Sequence, residues 1–573
     1  MLKLLNTFNR KKQRLDLTHL YLAKNLLALL ILLCLALPLA ACLDASKQGP
    51  ATSDNQAKSA YHVSFGPDRA KQSLSVVSGS ENSILEPLIQ EFADKNGIQI
   101  NMDYLGSLDI MRLLQQDTFP YDAVWPASSL WISVGDSFHR VKHASSISIT
   151  PVIFGIRDSL AQELGFKGKD VLVGDILEAI KSGKLRFTMT SATQSNSGAS
   201  AYMGFLYALL GNPSSIELTD LEKEDLDQEI TDLLAGVERS SGSSNWLVDL
   251  FMSGDYDAMV NYEALIISAN QRLQSEGRET LYAVYPQDGL TLADSPLGFV
   301  ADSGVAGRDQ DTQEQIFLDL QAFLLSEESQ KQIQATGRRT DMLTGPEGLE
   351  EVFRPEWGID LDRNLATMRM PKAEVIIEAL DLYQSEFKKP AYNIYLLDFS
   401  GSMTGEGHRQ LMAALEAIMI EENAKANLLQ ASHDEINSFI AFNSSVKSLG
   451  QARGSGQDLE KLYKHIKRYN PSGITLLYSA VDQALEELSQ INLDQYSPAI
   501  ILLSDGAASW EEINYEDIER HYNDLARDIP IFSILFGDAH KDQLDQLAKL
   551  SRARVFDGRD DLIGAFQKVR GYN

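Results

Sequence analysis

Cysteine is almost absent from this sequence, since only Cys34 and Cys42 occur in 573 residues. Both lie near the amino terminus, so the remainder of the chain can form no internal disulfide. Its stability must come from hydrophobic cores, with or without a bound metal. At this length more than one domain is expected, because a single core rarely grows beyond about 250–300 residues.

Positive charge is also scarce, with 51 lysines and arginines against 80 aspartates and glutamates and a formal net charge of −29. No run rich in lysine or arginine follows residue 24. Such a surface repels phosphates, which argues against nucleic acid or anionic lipid as a partner. The content of 44% hydrophobic and 23% charged residues is otherwise typical of a soluble globular protein.

The sequence further lacks the common signatures of catalytic sites. Its nine histidines are scattered, and no H-E-x-x-H pair, Walker A loop or G-x-S-x-G nucleophile turn occurs. A metal-dependent hydrolase built on the paired aspartates described below would have no evident general base. We therefore expect a binding protein and not an enzyme.

The amino-terminal segment is predicted to be a targeting sequence. An apolar run from Leu26 to Ala41 follows several basic residues and ends in the letters L-A-A-C at Cys42. This ending resembles the lipobox of bacterial lipoproteins. The resemblance implies that residues 1–41 are a signal peptide and that Cys42 is acylated, for example with palmitate. The protein would then be anchored in the cell membrane or outer membrane, facing the periplasm or the exterior. The alternative is an uncleaved membrane anchor, although the run is shorter than the ~20 residues that a spanning helix needs.

Composition and patterning divide the rest of the chain into a tether and two folded units. Residues 42–72 are rich in Ser, Ala, Gln, Asp and Pro and are expected to form a flexible tether. Regular patterning extends over residues 73–385, and a second folded unit is expected at residues 391–573. Short apolar strands alternate with amphipathic helices in both units. This alternation predicts an α/β fold with parallel sheets covered by helices on both faces.

Hydroxyl-rich turns precede predicted helices in the first unit, and the turns at Ser80 and Ser107 also follow predicted strands. They include Ser80, Ser107 and Ser197, and Ser128 follows the likewise predicted strand at residues 121–125. A turn that opens a helix offers backbone N–H groups and the positive end of the helix dipole to an anion. Ordinary helix capping by serine explains any one of these turns equally well.

The order of these turns, together with the segments at residues 151–156, 285–289 and 322–330, resembles the bacterial extracellular solute-binding proteins, in the branch that includes oxyanion and molybdate binders. The resemblance implies a two-lobed, periplasmic-binding-protein-like domain that closes over a small anion or a small organic solute. It also implies that four serines contact this ligand: Ser80, Ser107, Ser128 and Ser197. The sequence places no lysine or arginine in the cleft. Four aromatic residues can either line a site for an organic ligand or belong to the core: Trp125, Trp131, Tyr202 and Tyr262.

The second unit contains a D-x-S-x-S motif formed by Asp398, Ser400 and Ser402, directly after an apolar run. Thr475 lies in a later loop that opens a helix, and Asp505 follows another apolar run. In a doubly wound sheet the two runs would be neighbouring strands, so that their carboxyl ends share one crevice. Two carboxylates and three hydroxyls are hard oxygen ligands, which suit Mg²⁺ or Mn²⁺.

This set of residues resembles the metal-ion-dependent adhesion site (MIDAS) of von Willebrand factor A domains. The resemblance implies a doubly wound, Rossmann-like domain in which Ser400 and Ser402 coordinate the metal directly. Thr475, Asp398 and Asp505 would coordinate it directly or through water. A protein partner would complete the coordination with an Asp or Glu carboxylate.

Together these features predict an envelope-anchored lipoprotein in which a solute-receptor-like domain is coupled to a Mg²⁺-dependent protein-recognition domain. One alternative is the substrate-binding receptor of an ABC importer, with the second unit as an accessory docking domain. Another is a metal-dependent adhesin whose first unit is an inert scaffold.

Overall fold

A computed structural model describes residues 61–304, 309–340, 348–361, 368–427, 429–505, 508–536, 541–559 and 562–571. The predicted signal peptide and the predicted lipidation site Cys42 lie outside these residues. So does most of the predicted tether. Its last part is not a tether, however, because Tyr61–Phe65 forms a strand that pairs with the strand Gln99–Leu105.

The first unit contains two mixed sheets, one in each lobe. Its strands are β1 (Tyr61–Phe65), β2 (Ser73–Gly79), β3 (Gln99–Leu105), β4 (Ala123–Trp125), β5 (Val141–Ser146), β6 (Thr150–Arg157), β7 (Phe187–Thr190), β8 (Val237–Ser241), β9 (Ala258–Tyr262), β10 (Leu281–Val284), β11 (Thr291–Ala293) and β12 (Pro296–Val300). The first sheet has the order β1-β3-β2-β4-β12-β5. The second has the order β10-β6-β9-β7-β8, with β11 also paired to β6.

The chain crosses between the lobes from β5 to β6 and returns from β11 to β12. The segment at residues 151–156, one of those that carry the resemblance to solute-binding proteins, lies within β6 and belongs to the second sheet. The crossing itself is the short link at residues 147–149.

Helices cover both sheets of the first unit. They are Glu86–Asn96, Ser107–Leu114, Ser129–Gly135, Asp158–Glu163, Val173–Lys181, Asn196–Leu209, Glu224–Leu234, Ser244–Ser253, Glu263–Ser275, Gln310–Leu324, Glu327–Ala335 and Ala373–Leu382. Shorter 3₁₀ or π turns are Ser80–Leu85, Leu218–Asp220, Pro355–Trp357 and Tyr383–Phe387. Several helices begin directly after a parallel strand, which places their amino ends at the carboxyl edge of each sheet.

The second unit is a six-stranded sheet in the order β15-β14-β13-β16-β17-β18. Its strands are β13 (Ala391–Asp398), β14 (Ile436–Phe442), β15 (Val446–Arg453), β16 (Ser497–Ser504), β17 (Ile531–Leu535) and β18 (Val555–Asp557). All pairs are parallel except β14 with β15. The strand order reverses at β13, which lies between β14 and β16.

Every residue of β13 is buried, as expected for a central parallel strand covered on both faces. Tyr395 and Leu397 pack in one core and Leu396 in the other. The covering helices are Glu406–Met419, Glu421–Ala426, Gln457–Ile466, Leu477–Ser489, Tyr515–Asp524, Lys541–Leu550 and Leu562–Gly571, with 3₁₀ turns at Gly401–Met403 and Leu493–Gln495. Among the residues described, no helix combines the length and apolar character needed to cross a membrane.

Candidate metal centre and solute cleft

Asp398 ends β13 and is fully buried. Its Oδ1 accepts the Ser400 backbone N–H at 2.8 Å, and its Oδ2 accepts the Ser504 hydroxyl at 2.5 Å. Burial raises the pKa of Asp398 to about 6, and the nearby charge of Asp505 contributes to the increase. The carboxylate is therefore held in a fixed orientation, and its negative charge would be stabilised by a cation.

The two motif serines lie together. The Ser400 and Ser402 hydroxyl oxygens are 2.9 Å apart. Ser400 is buried and Ser402 is exposed, so the pair extends from the core to the surface. The N–H of Gly401, between them, donates to the Gly473 carbonyl at 3.0 Å. This bond ties the motif to the loop that carries Thr475.

Thr475 is buried and held by a reciprocal pair of hydrogen bonds. Its N–H donates to the Ser509 hydroxyl at 3.0 Å, and the Ser509 N–H donates to the Thr475 carbonyl at 2.9 Å. These bonds occupy the backbone of Thr475 and leave its hydroxyl available. They also join the loop before the helix Leu477–Ser489 to the loop after β16.

Asp505 directly follows β16, the strand beside β13. It is 8% exposed, and its Oδ1 is buried without a hydrogen-bond partner among the residues that the structure describes. A buried carboxylate oxygen without a donor is unfavourable unless a cation or water satisfies it. The predicted ligands therefore fit a divalent metal, because Asp505 supplies an oxygen that needs one and the hydroxyls are neutral oxygen donors.

The described residues contain no group of three or more His, Cys, Asp or Glu side chains placed to hold a metal. The predicted site contains only two such side chains, Asp398 and Asp505, and its other three ligands are hydroxyls. Ser504, which the sequence reasoning missed, donates to Asp398 and helps to orient it. Ser504 could have been found from the sequence, because it is the last residue of β16 and directly precedes Asp505.

In the first unit, Ser80, Ser107 and Ser128 follow β2, β3 and β4, which are parallel neighbours. The Ser107 hydroxyl accepts the Ala127 N–H at 3.0 Å. The Ser128 hydroxyl accepts the Leu130 N–H at 3.3 Å and caps the helix Ser129–Gly135. The hydroxyls of Ser107 and Ser128 thus hold their own loops.

Ser197 lies after β7 in the other lobe and is fully buried. Its hydroxyl lies 2.7 Å from that of Thr190 and 2.8 Å from that of Ser244. The hydroxyl oxygens of Ser195 and Ser244 are 3.1 Å apart. A cluster of hydroxyls therefore forms at the carboxyl end of β7 and β8, of which only Ser197 was predicted as a contact.

The lobes touch across the cleft. The Trp131 indole N–H donates to Asn196 Oδ1 at 2.6 Å, and the Asn196 amide donates to the Tyr262 hydroxyl at 3.0 Å. Trp131 and Tyr262 therefore face the cleft from opposite lobes. Both side chains are buried in the same hydrophobic core as Tyr202, which packs against Tyr383 with ring centroids 5.2 Å apart. Trp125 is also buried in a core.

An arginine that the sequence analysis did not find lies at the cleft. Arg338 is 5% exposed and donates to the Glu81 carbonyl at 2.7 Å. Burial raises the pKa of the Glu81 carboxyl, and the positive charge of Arg338 partly counteracts this increase. Glu81 Oε1 is buried without a hydrogen-bond partner in the part of the chain described. Glu81 stands in the hydroxyl-rich turn after β2, and Arg338 follows the helix Glu327–Ala335. No local pattern connects them.

The second lobe contacts the carboxyl-terminal unit through buried charges. Asp528 Oδ1 lies 2.8 Å from a guanidinium nitrogen of Arg239 and 3.1 Å from one of Arg552. The Tyr256 hydroxyl donates to Asp528 Oδ2 at 2.5 Å. Arg239 and Tyr256 belong to the second lobe, so this cluster joins the two units.

Two segments of the second lobe touch both the first lobe and the carboxyl-terminal unit. Asn245 donates to the Ser80 carbonyl at 3.1 Å, while the adjacent Trp246 packs on the carboxyl-terminal core with the Arg554 guanidinium 5.5 Å from its ring. Gln194 is the other segment. Gly106 of the first lobe approaches Gln194 so closely that an added Cβ would lie 2.7 Å from the Gln194 carbonyl oxygen. Gly571 of the carboxyl-terminal unit also approaches Gln194 closely, since an added Cβ there would lie 1.9 Å from Gln194 Oε1.

Comparisons with known proteins agree with this architecture. Residues 74–339 match the family model described as bacterial extracellular solute-binding protein, and residues 394–567 match the von Willebrand factor type A domain. No curated protein sequence matches the chain. The second of these families comprises domains that often bind a divalent metal at a MIDAS.

Solved structures with similarity to the chain are periplasmic binding proteins. The substrate binding protein of an ABC transporter from Agrobacterium tumefaciens is 14% identical, covers 58% of this chain and 98% of its own, and has a TM-score of 0.40. The binding protein AfuA from Actinobacillus pleuropneumoniae, with fructose-6-phosphate bound, is 12% identical, with 55% and 99% coverage and a TM-score of 0.40. A ferric binding protein from Campylobacter jejuni is 16% identical, with 54% and 98% coverage and a TM-score of 0.39.

The predicted resemblance to both families and the predicted fold class are therefore confirmed. The chain thus joins a two-lobed, periplasmic-binding-protein-like region, matched over residues 74–339, to a von Willebrand factor type A domain, matched over residues 394–567.

Proposed function

We propose that this chain is an envelope-anchored binding protein, in which a solute-receptor domain is coupled to a Mg²⁺-dependent domain that recognises another protein. The observation that carries the proposal is the orphaned Oδ1 of Asp505 beside the ordered D-x-S-x-S loop. Binding explains the chain without catalysis, since each domain belongs to a class that is generally non-catalytic.

Five residues would hold the metal: Asp398, Ser400, Ser402, Thr475 and Asp505. A bound Mg²⁺ would supply a positive coordination position that attracts a carboxylate. The chain's own part is to orient that position. Asp398 is fixed by Ser400 and Ser504, and Ser402 lies exposed at the rim, where a partner can approach.

The ligand of the first unit is proposed to be a small anion or a small polar organic solute held at the cleft. Arg338 supplies the positive charge that the sequence analysis did not find, and the hydroxyls near Ser197 supply neutral polar groups. Ser80, Ser107 and Ser128 remain proposed contacts, through backbone N–H groups at the carboxyl ends of their strands as well as through hydroxyls.

Coupling between the two units is proposed to run through Asn245–Trp246 and Gln194. Each segment contacts the first lobe on one side and the carboxyl-terminal unit on the other. A solute that changes how the lobes close would then shift these contacts. It can change partner affinity only to the extent that it binds one arrangement better than the other.

The metal site is tested by Mn²⁺ titration of the full chain, followed by electron paramagnetic resonance of the free ion. We expect one Mn²⁺ per chain, displaced by Mg²⁺. Asp505→Asn and Ser402→Ala should weaken binding at least tenfold. Neither change is expected to unfold the domain, because Asp505 Oδ1 accepts no hydrogen bond from the described residues and Ser402 is exposed.

The matched control is Ser489→Ala, at an exposed serine at the far end of the helix Leu477–Ser489. It should bind Mn²⁺ as the unchanged protein does. If all four proteins bind Mn²⁺ with equal affinity, the metal is held elsewhere and the proposal fails.

A further inference from the structure

A large apolar side chain stands in solvent beside the candidate metal centre. Trp510 is 87% exposed, and Ile474, next to the metal ligand Thr475, is 47% exposed. By contrast, Trp125, Trp131 and Trp357 are at most 3% exposed. Exposed tryptophan is unusual because its indole carries a large apolar area.

The backbone on both sides of Trp510 is held in place. Ser509, which precedes it, makes the reciprocal hydrogen bonds with Thr475. Glu511, which follows it, accepts the backbone N–H groups of Tyr478 and Ser479 at 2.9 and 2.8 Å. Its carboxylate thereby caps the first turn of the helix Leu477–Ser489. Trp510 therefore projects from an ordered loop, and little further ordering is needed when a partner covers it.

Trp510 and Ile474 both lie close in sequence to residues at the candidate metal centre. Ile474 adjoins Thr475 in sequence, and Trp510 adjoins Ser509, the residue hydrogen-bonded to Thr475. Both apolar side chains are thus one residue away from the same bonded pair. Tryptophan is enriched among the residues that dominate binding energy at protein interfaces, where surrounding contacts exclude water.

We infer that Trp510 and Ile474 form an apolar rim of the partner-binding surface. The partner is a protein segment that offers one Asp or Glu carboxylate with a large apolar residue within a few positions of it. A highly acidic segment fits less well, because a chain with a net charge of −29 repels further negative charge away from the metal. The inference rests on the proposed metal-dependent recognition.

The test is selection of random peptides from a display library on the immobilised full chain, in Mg²⁺ and in chelator. With the unchanged protein, the peptides enriched only in Mg²⁺ should carry an acidic residue with Leu, Ile, Phe or Trp nearby. With Trp510→Ala, the acidic residue should persist, while the apolar neighbour should lose its enrichment. A peptide selected on the unchanged protein should bind Trp510→Ala at least tenfold more weakly in a direct titration.

Two further variants separate the possible failures. Asp505→Asn should abolish all Mg²⁺-dependent enrichment. Phe138→Ala removes an aromatic side chain that is 47% exposed in the first unit, and it should select the same peptides as the unchanged protein. Mg²⁺-dependent acidic peptides with no apolar preference, or with one that survives Trp510→Ala, would overturn the inference and leave the proposed function standing. The absence of any Mg²⁺-dependent enrichment would overturn both.

Iodide quenching provides a second measurement that does not depend on selection. Because Trp510 is exposed, it should contribute a readily quenched fraction of the fluorescence, which Trp510→Phe should remove. A selected peptide should protect this fraction in Mg²⁺ and not in chelator. Peptide binding that leaves quenching unchanged would show that the indole lies outside the contact surface, against the inference.

Discussion

Replacing Asp528 by asparagine should weaken the attachment of the von Willebrand factor A domain to the second lobe. The substitution keeps the shape of the side chain and removes its charge. Arg239, whose side chain is 5% exposed, and Arg552, at 36%, would then face each other without the carboxylate between them. The Tyr256 hydroxyl would lose a charged acceptor as well.

The size of the effect follows from the burial of these groups. Removing one partner of a buried ion pair costs about 3–5 kcal/mol, because the remaining charge stays desolvated. The side chain of Asp528 is 18% exposed, so solvent can relieve part of this cost. We therefore expect a somewhat smaller loss, of about 2–3 kcal/mol.

Urea denaturation of the full chain measures this loss. Its fluorescence should report on the interface, because Trp246 lies there against Arg554. Since a chain of several domains does not unfold in one step, the relevant quantity is the midpoint of the first transition. With a slope of about 1–3 kcal/mol per molar urea, this midpoint should fall by roughly 0.7–3 M.

Asp494→Asn is the matched control. Asp494 pairs with Arg527 at 3.0 Å in the same unit, but the two side chains are 68% and 54% exposed. Such a surface pair contributes about 0–1 kcal/mol. If Asp528→Asn lowers the midpoint no more than Asp494→Asn does, the buried cluster does not stabilise the interface and the reasoning is refuted.

The pH dependence gives an independent check on Asp528. Burial alone would raise its pKa, but the guanidinium groups of Arg239 and Arg552 outweigh burial and hold the pKa below its usual value. The stabilisation should therefore be complete above about pH 4 and be lost as the pH falls through the lowered pKa. The difference between the unchanged protein and Asp528→Asn should shrink over the same range. A constant difference down to acid pH would contradict this assignment.

Three further outcomes follow from other groups. Burial, aided by Arg570, lowers the pKa of Lys388 to about 8, so the chain should gain stability from pH 8 to 10.5, and Lys388→Met should remove this gain in urea titrations. Arg339→Met should cost about 3–5 kcal/mol in the same assay, because it leaves Glu263 buried without its partner at 2.7 Å. Cys42→Ser should move the protein from the membrane fraction to the soluble fraction of fractionated cells, and equal membrane retention of both forms would refute acylation as the anchor.

The predicted metal ligands could be assigned to one edge of the sheet because most of them lie at the ends of recognisable strands. β13 ends at Asp398, the first residue of the motif. The hydrophobic run therefore predicts the strand, and the motif marks where the strand ends. Asp505 follows β16 in the same way. Parallel strands that lie side by side bring their carboxyl ends together, and sequence order alone then places the two aspartates at one edge. The fold class could be predicted for the same reason.

The cleft was harder to predict because its polar groups meet over long sequence distances. Arg338 and Glu81 are 257 residues apart. Each looks like an ordinary charged residue in its own segment, and only the folded chain brings them together. The predicted tether was wrong near its end for another reason. β1 is an edge strand held by backbone pairing to β3, and backbone pairing requires little hydrophobic content.

The two binding edges of the von Willebrand factor A domain lie at opposite ends of its sheet. Lys388, Lys389 and Asp528 precede β13 and β17 and lie against the second lobe, lining a small cavity there. Four of the predicted metal ligands, Asp398, Ser400, Ser402 and Asp505, lie instead at the carboxyl ends of β13 and β16. The eight residues of β13 separate these edges by about 23 Å, at roughly 3.3 Å per residue.

At the proposed metal site a partner would reach the metal without displacing the docked lobe, and any coupling would have to pass through the body of the domain. The helix Leu562–Gly571 offers such a route, because its last residue packs on Gln194. At this separation, substitutions at the two edges should have additive effects on stability unless such a route connects them. A double variant of Asp528→Asn and Asp505→Asn measures this directly. The losses of stability can be additive without solute and metal and non-additive when both are bound. That result would show that the ligands cause the coupling and that the ligand-free fold does not.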